Sequence, residues 1–435
     1  MSPEMVGLIG MVVMLILLFL GVHIAVCLTL VGIVGYAVIQ GVDKAFIMAG
    51  MMPFHVISSY TMALFPVYLL LGELADISGM MRDSFKAANV WVGNLRGGLA
   101  MASIVGGGFF AAVSGSSTAC SALITRLSLP SLLEHNYHPK LATGALSAAG
   151  TLSNLIPPSI GLVVYAVMTE TSLGKLFLAV FIPGILLTLM FMIQIHIQCR
   201  FNPKLGPPGG ATTAREKLHA FKDAAPTLIL FTVVMGGIWF GVYTANEAGA
   251  IGTVGAFLYG LYRRRINGQS LSRAFRNTLG IAGMIFAVII SAEIFSNFVV
   301  ISGLSQALAQ WVGGLDMPPV GVIICIMLVY IFVGTAMDTL TMILVTLPFF
   351  VPLLNHLGID LIWFGVLVVV QMELSQITPP VGLNLFVVAG MVKEKNISMG
   401  TVFSGAWPFC YTMVIFNALL IAFPQIAMYL PGLMK

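Results

Sequence analysis

The residues best equipped for chemistry are few, and they interrupt apolar sequence. Two polar clusters stand out: GGGFFAAVSGSSTACSA at 106–122 and FVGTAMDTLTMI at 332–343. Ser114, Gly115, Ser116, Ser117 and Thr118 in the first cluster favour a turn over continuous helix, because serine and threonine hydroxyls compete for backbone hydrogen bonds. Downstream of each cluster lies a proline pair, Pro157–Pro158 and Pro379–Pro380. Proline removes an amide donor and moves the residue before it out of the helical region, so both pairs predict a broken helix. A broken helix leaves carbonyls free at one half-helix end and amides free at the other. Inside a membrane such backbone is tolerated only where it lines a protein-enclosed cavity. Carbonyls and hydroxyls suit a hard cation such as sodium, and amide-rich helix N-termini suit a carboxylate. The expected chemistry is recognition without covalent steps.

Asp338 is the only charge between Asp316 and Asp360. At that depth in apolar sequence a charge costs several kcal/mol unless it is paired or coordinated, so it is either an ion ligand or a cap on the turn. Asn154, Gln376 and Thr378 lie just before the prolines, where their oxygens can meet an ion or satisfy freed backbone. Glu73, Glu293 and Glu373 also sit in apolar tracts; structural pairing or an interfacial position is expected, with proton movement as the alternative. The cysteines Cys27, Cys120, Cys199, Cys325 and Cys410 show no metal-ligand spacing and read as small hydrophobes. His135 and His138 flank a polar connector, and no HExxH is present. A serine hydrolase at SGSSTA would need a base on its nucleophile, and the membrane tracts near that motif hold no histidine, so an enzyme is not expected.

The elements that position these residues must be membrane helices. The chain has 435 residues, 59% of them hydrophobic and 8% charged, against about 25% charged in soluble domains. Uncharged tracts such as 5–42, 141–169 and 396–434 exceed the ~20 apolar residues that a span needs. The first tract lacks a basic head, so it reads as retained spans and not as a cleaved signal. A formal charge of +4 points to neither nucleic acid nor a basic peripheral surface. Full spans are expected near 5–21, 24–40, 56–77, 141–168, 176–198, 226–244, 247–262, 278–301, 361–390 and 403–430. The stretches 98–130 and 318–350 are left over. If both are re-entrant hairpins and the N-terminus is outside, all lysines and arginines fall on the cytoplasmic side except Lys44, Lys175 and Lys435. That asymmetry is the positive-inside signature.

The halves repeat each other. LSNLIPP at 152–158 returns as LSQITPP at 374–380, WVG at 91–93 returns at 311–313, and Glu73 pairs with Glu293 at nearly the same offset. One hairpin opens inward and the other outward, so the repeats are inverted, an architecture that puts binding sites at the repeat interface. The expected organisation is scaffold helices over 1–55; a first inverted repeat over 56–198, with hairpin 98–130 and broken helix 141–168; a cytoplasmic linker over 199–224; scaffold helices over 225–277; and a second inverted repeat over 278–435, with hairpin 318–350 and broken helix 361–390. The fold class is an all-α polytopic membrane protein.

SGSSTA, LIPPSIGLVVYAV, GTAMDTLT and ITPPVGLNLFVVAG, in this order and across nearly the whole chain, resemble the large membrane subunit of tripartite ATP-independent periplasmic (TRAP) transporters, within the ion transporter superfamily. The resemblance implies an elevator-type, sodium-driven importer of a small organic acid such as a C4-dicarboxylate or a sialic acid, in the bacterial inner membrane. It implies two or more coupling Na+ ions and no organic cofactor. It implies two partners, a small four-helix (Q-type) membrane subunit and a periplasmic (P-type) substrate-binding protein. No four-helix extension precedes residue 5, so the small subunit is expected as a separate chain. Carried over residue by residue, the resemblance assigns sodium contacts to Ser114, Gly115, Ser116 and Asn154, and to Gly334, Asp338, Thr339 and Thr378. It assigns substrate contacts to Ser117, Thr118, Pro158, Thr341 and Pro380. The alternative is a self-sufficient sodium/carboxylate symporter of the same fold that needs no binding protein.

Overall fold

The computed structural model describes every residue except Ala211, Asp316 and Lys435, with the side chains of residues 112–114, 335 and 336 also left aside. Among the described residues there are twenty α-helices and no strand beyond an isolated bridge between Arg96 and Pro208. The first half runs α1 (Pro3–Phe19), α2 (Ile24–Gln40), α3 (Val42–Ser58), α4 (Leu64–Ser78), α5 (Met80–Val92), α6 (Gly98–Ser114), α7 (Ser117–Glu134), α8 (Pro139–Gly150), α9 (Ile160–Thr169) and α10 (Leu173–Phe201). The second runs α11 (Ala214–Trp239), α12 (Ala245–Tyr262), α13 (Gly268–Ser302), α14 (Leu304–Gly313), α15 (Pro319–Ala336), α16 (Thr339–His356), α17 (Leu361–Gln376), α18 (Leu383–Val392), α19 (Met399–Ala422) and α20 (Gln425–Leu433).

Among the described residues, six segments are long and apolar enough to cross a membrane: Tyr60–Ser78, α10, α11, α13, α16 and α19. Shorter apolar helices accompany them, including α1, α2 and α17. At about 1.5 Å per residue, α13 with its 35 residues is far longer than a hydrocarbon core of about 30 Å, so it tilts or projects beyond it. Several elements differ from the spans expected from sequence. α11 begins at Ala214, well before position 226, because Thr213 and Glu216 form a reciprocal capping box at its start. Irregular chain in the polar stretch, among the described residues, therefore shrinks to 202–210 and 212–213. The expected final span is interrupted at Phe423 and Pro424, which separate α19 from α20. α5 was not expected as a helix; it is amphipathic, with Arg82 and Lys86 exposed and Met81, Ala87 and Ala88 buried. Four of the five cysteines are buried as expected, but Cys325 on α15 is exposed.

Packing relies on small residues where backbones meet. A Cβ on Gly144 of α8 would sit 2.0 Å from the carbonyl oxygen of Gly405 on α19, and one on Gly405 would sit 2.1 Å from that of Lys140. Close helix approach of this kind needs glycine on both sides. Aromatic edges fill the spaces between, as in the Phe191–Phe409 pair at 5.4 Å between ring centroids.

Two helix pairs fold back on themselves. The outer ends of α6 and α7 are tied to one stretch of the connector: Gly97 N–H donates to Gly206 O at 3.2 Å, and His138 N–H donates to Leu205 O at 2.9 Å. Tyr137 fastens the same place, its hydroxyl donating to Pro207 O at 2.9 Å and accepting from Leu99 N–H at 3.1 Å. α15 and α16 pair likewise, with the Tyr330 and Thr346 hydroxyls 2.7 Å apart. The end of α14, ahead of α15, lies beside the outer end of α16, since a Cβ on Gly313 would be 3.6 Å from His356 Nε2.

Candidate functional site

Each helix pair turns at a polar tip. α6 ends at Gly115, whose φ of +59° favours glycine, and Ser116 then caps α7 by accepting from Ala119 N–H at 3.5 Å. In the other pair Met337 is extended and Asp338 caps α16, accepting from Leu340 N–H at 3.2 Å and Thr341 N–H at 3.4 Å. The Thr341 hydroxyl donates to the same carboxylate. Asp338 thus fills the capping role weighed from sequence, and it stays exposed while doing so.

The helices stop at both double prolines. α8 passes into a 3-10 turn, Thr151–Asn154, and the chain restarts at α9 with Ser159 accepting from Leu162 N–H at 3.3 Å. α17 ends at Gln376 and α18 begins at Leu383, after Gly382 at φ +51°. The Pro157–Pro158 and Pro379–Pro380 bonds are both cis.

The starts of α7, α9 and α16 converge on one cavity of about 420 Å3. Its wall includes Gly115, Ser116, Ser117, Thr118, Asn154, Gly161, Asp338 and Thr339. The first amides of a helix have no carbonyl behind them; the starts of α7 and α9 therefore favour an anion in this space, while that of α16 already carries the Asp338 carboxylate. The same wall offers hydroxyl, amide and carboxylate oxygens, the donor set of a hard cation. No cluster of three or more His, Cys, Asp or Glu that could hold a metal occurs among the described residues.

The remaining nominated residues lie elsewhere. The side chain of Ser114 is outside the described residues. Gly334 is packed behind the wall, where a Cβ would meet Ser375 Oγ at 2.2 Å. The Thr378 hydroxyl, just past the end of α17, donates back to Leu374 O in its last turn at 2.6 Å. Thr341 faces a neighbouring cavity of about 180 Å3, which Asp338 also lines. Pro158 borders a narrow crevice with Gly115 and Tyr68, and Pro380 is exposed.

Sequence reasoning passed over Asp76 and Thr278, expected structural pairing or an interfacial position for Glu73, and weighed Gln376 as an ion contact or a partner for freed backbone. Glu73 and Asp76, three positions apart on α4, line the cavity together with Thr278 and Gln376. Glu73 accepts from Asn277 Nδ2 at 3.2 and 3.3 Å. Gln376 donates through Nε2 to Met337 O at 3.4 Å, and its Oε1 is buried without a partner. With Asp338 the described lining carries three carboxylates and no lysine, arginine or histidine. Beneath the wall lies Glu373 of α17, fully buried, accepting from Asn154 Nδ2 at 2.5 Å and from the Ser117 hydroxyl at 2.6 Å. Asn384 Nδ2 of α18 donates to Ser117 Oγ at 2.7 Å.

A helical bundle with multiple apolar crossings, whose chain is stopped and restarted around a polar cavity, is a multi-pass membrane transport protein and not an enzyme. Residues 11–426 match the model of the tripartite ATP-independent periplasmic transporter, DctM component, and the chain belongs to that family of TRAP large permeases. It is 34% identical over 374 residues to the C4-dicarboxylate TRAP transporter large permease protein DctM of Pseudomonas aeruginosa, covering 86% of each chain. It is 29% identical over 378 residues to the sialic acid TRAP transporter large permease protein SiaM of Vibrio cholerae, covering 87% of each. Among solved structures, the fold resembles the YdaH transporter of Alcanivorax borkumensis, with a TM-score of 0.66 at 16% identity over 91% of this chain and 90% of that one.

Proposed function

We propose that this chain imports a small organic acid, a C4-dicarboxylate, a sialic acid or a related carboxylate, coupled to sodium and delivered by a periplasmic binding protein. The observation that carries this reading is the charge of the cavity. The N-termini of α7 and α9 invite an anion into a space whose described lining has three carboxylates and no cationic side chain. At an effective dielectric constant near 20, like charges 4 Å apart repel by about 4 kcal/mol. Cations bound first at the tip oxygens cancel that repulsion, so ion and anion each raise the affinity of the other by the same factor. The neutral assembly then crosses where a half-loaded one does not.

A second cavity supports alternating access. α13 lines the first cavity with Thr278, Ile281 and Ile285, and one of about 660 Å3 further along its length with Ile289 and Glu293. α4 and α9 also lie between the two. In this reading α6–α7 and α15–α16 are re-entrant hairpins of two inverted repeats. They move with α8–α9 and α17–α18 as an elevator against a scaffold built from α1, α2, α4 and α11–α13. The N-terminus faces the periplasm from the inner membrane, and a small four-helix subunit braces the scaffold. The relatives named for C4-dicarboxylate and sialic acid transport favour a carboxylate cargo.

The test is uptake by proteoliposomes holding this chain with its small subunit, supplied with loaded binding protein. Inward sodium should drive accumulation, and an equal potassium gradient should not. Equal uptake under both gradients would remove sodium from the mechanism.

A further inference from the structure

We infer that Glu373 is a positioning residue: from the second half of the chain it fixes the Asn154 amide of the first half so that the amide oxygen, and not the nitrogen, is offered to a cation in the cavity. The inference rests on the sodium-coupled reading above and adds the residue that aims one ligand.

Glu373 is 0% exposed, and no salt bridge reaches it among the described residues. Burying a carboxylate without a cation is costly, so an apolar residue would be the easier occupant of this position. What the carboxylate supplies is direction. When ionised it only accepts hydrogen bonds, so the Asn154 group facing it at 2.5 Å must be the NH2. The amide oxygen is thereby turned away, and there it accepts from the Ser159 hydroxyl at 3.0 Å. Ser159 itself caps α9. A Cβ on Gly161, a wall residue of the cavity, would lie 3.2 Å from that same oxygen. An amide oxygen has two acceptor sites, so one is left for a cation after Ser159 has taken the other.

Ser117 obeys the same carboxylate. Asn384 Nδ2 donates to its oxygen at 2.7 Å, and its single hydroxyl hydrogen goes to Glu373 at 2.6 Å in preference to Gly150 O at 3.2 Å. α7 and the 151–154 turn therefore meet at the carboxylate of α17, and α18 joins them through Ser117. Glutamine would not do this work, because it can present either its NH2 or its oxygen to Asn154. The control is also one-sided. The offset that pairs Asn154 with Gln376 places Thr151 opposite Glu373, and the Thr151 hydroxyl is spent on Ala148 O at 2.7 Å within its own segment.

The test reads the sodium midpoint for thermal stabilisation of the purified full chain, alongside sodium-dependent uptake. E373Q should raise the sodium midpoint on the order of tenfold, the loss of about one hydrogen-bonded orientation, and N154D should also impair binding by opposing two carboxylates. The double variant N154D/E373Q exchanges donor and acceptor, since an amide NH2 at position 373 then faces a carboxylate at position 154, and should restore the midpoint to within about threefold. A merely structural role would lower the melting temperature without sodium and leave the sodium midpoint in place. That result, or a folded double variant that stays as weak as the single ones, overturns the inference even if E373Q alone does not fold. A wild-type chain that sodium neither stabilises nor drives would instead sink the sodium reading on which it rests.

Discussion

The Ser117 hydroxyl lies 2.6 Å from the Glu373 carboxylate across 256 residues of sequence, tying the tip of the first helix pair to the broken helix of the other half. Displacing the tip must carry α17 with it or break a buried hydrogen bond. In the elevator proposed above, this bond makes the first tip and α17 travel together.

Removing that hydroxyl tests the tie. In Ser117→Ala, Glu373 keeps one donor, and Asn384 Nδ2 loses the hydrogen bond that the structure gives it. Stranding a buried polar group costs about 1–3 kcal/mol. The variant should melt several degrees below wild type in detergent, and uptake should fall with it. An unchanged melting curve would mean that water or a rearranged Asn384 replaces the serine.

Asp338 combines two roles that substitution separates. Asp338→Ala removes the cap on Leu340 and Thr341, a loss of about 0.5–2 kcal/mol, together with the charge. Asp338→Asn keeps a capping oxygen and removes only the charge. If the charge serves the coupling ion, both variants should abolish sodium-driven uptake while leaving assembly with the small subunit intact. Wild-type uptake by Asp338→Asn would reduce Asp338 to a helix cap.

Packing of α8 on α19 sets a third expectation. Gly405→Ala drives a methyl to 2.1 Å from Lys140 O, a backbone atom that cannot rotate away. Overpacking of this kind costs about 1–3 kcal/mol or more. The melting temperature should drop while the sodium midpoint of the folded fraction holds, because neither glycine touches the cavity. A shifted midpoint at wild-type stability would contradict that separation.

Outside the membrane segments, the start of α11 should respond to acid. The Thr213 N–H at 2.6 Å, and after it the Thr213 hydroxyl at 2.9 Å, hold the Glu216 carboxyl below its ordinary value. A depressed carboxyl stabilises in its ionised form, so the cap is complete above the ordinary value and is lost as pH falls through the lowered one. Corrected for intrinsic rate, amide exchange at 215–217 should quicken over that acidic window. In Glu216→Gln it should be fast at neutral pH and lose its acid dependence.

Local chemistry made part of this site readable from sequence. The double prolines, the hydroxyl-rich tip and Asp338 announce themselves because each breaks a rule of apolar helix, and the 222-residue offset between LSNLIPP and LSQITPP relates their positions. What could not be read depends on long-range contact. Nothing near Glu373 in the chain points to Asn154, 219 residues away. Glu73 and Asp76 became part of the cavity only once α4 packed beside α6 and α13. Thr378 misled for a local reason: a threonine at a helix end can return its hydroxyl to the carbonyl four residues back, and here it does. α5 escaped notice because its charged face hides an apolar stripe from any search for spans.

The connector gives the sharpest test of the re-entrant reading. Gly97 and His138, at the two outer ends of the first helix pair, hydrogen-bond to Gly206 and Leu205 in adjacent positions. In the re-entrant reading both ends lie on the same side of the membrane, whichever side that is. In a chain stripped of its five cysteines, single cysteines at the exposed positions Leu95 and Glu134 should react with a membrane-impermeant maleimide from one face only, the same face for both, as should one at exposed Lys204 in the connector. A charged reagent that reached Leu95→Cys from one side and Glu134→Cys from the other would make α6–α7 a crossing. The inverted relation of the halves would fail with it, because the positive-inside balance beyond residue 130 would reverse.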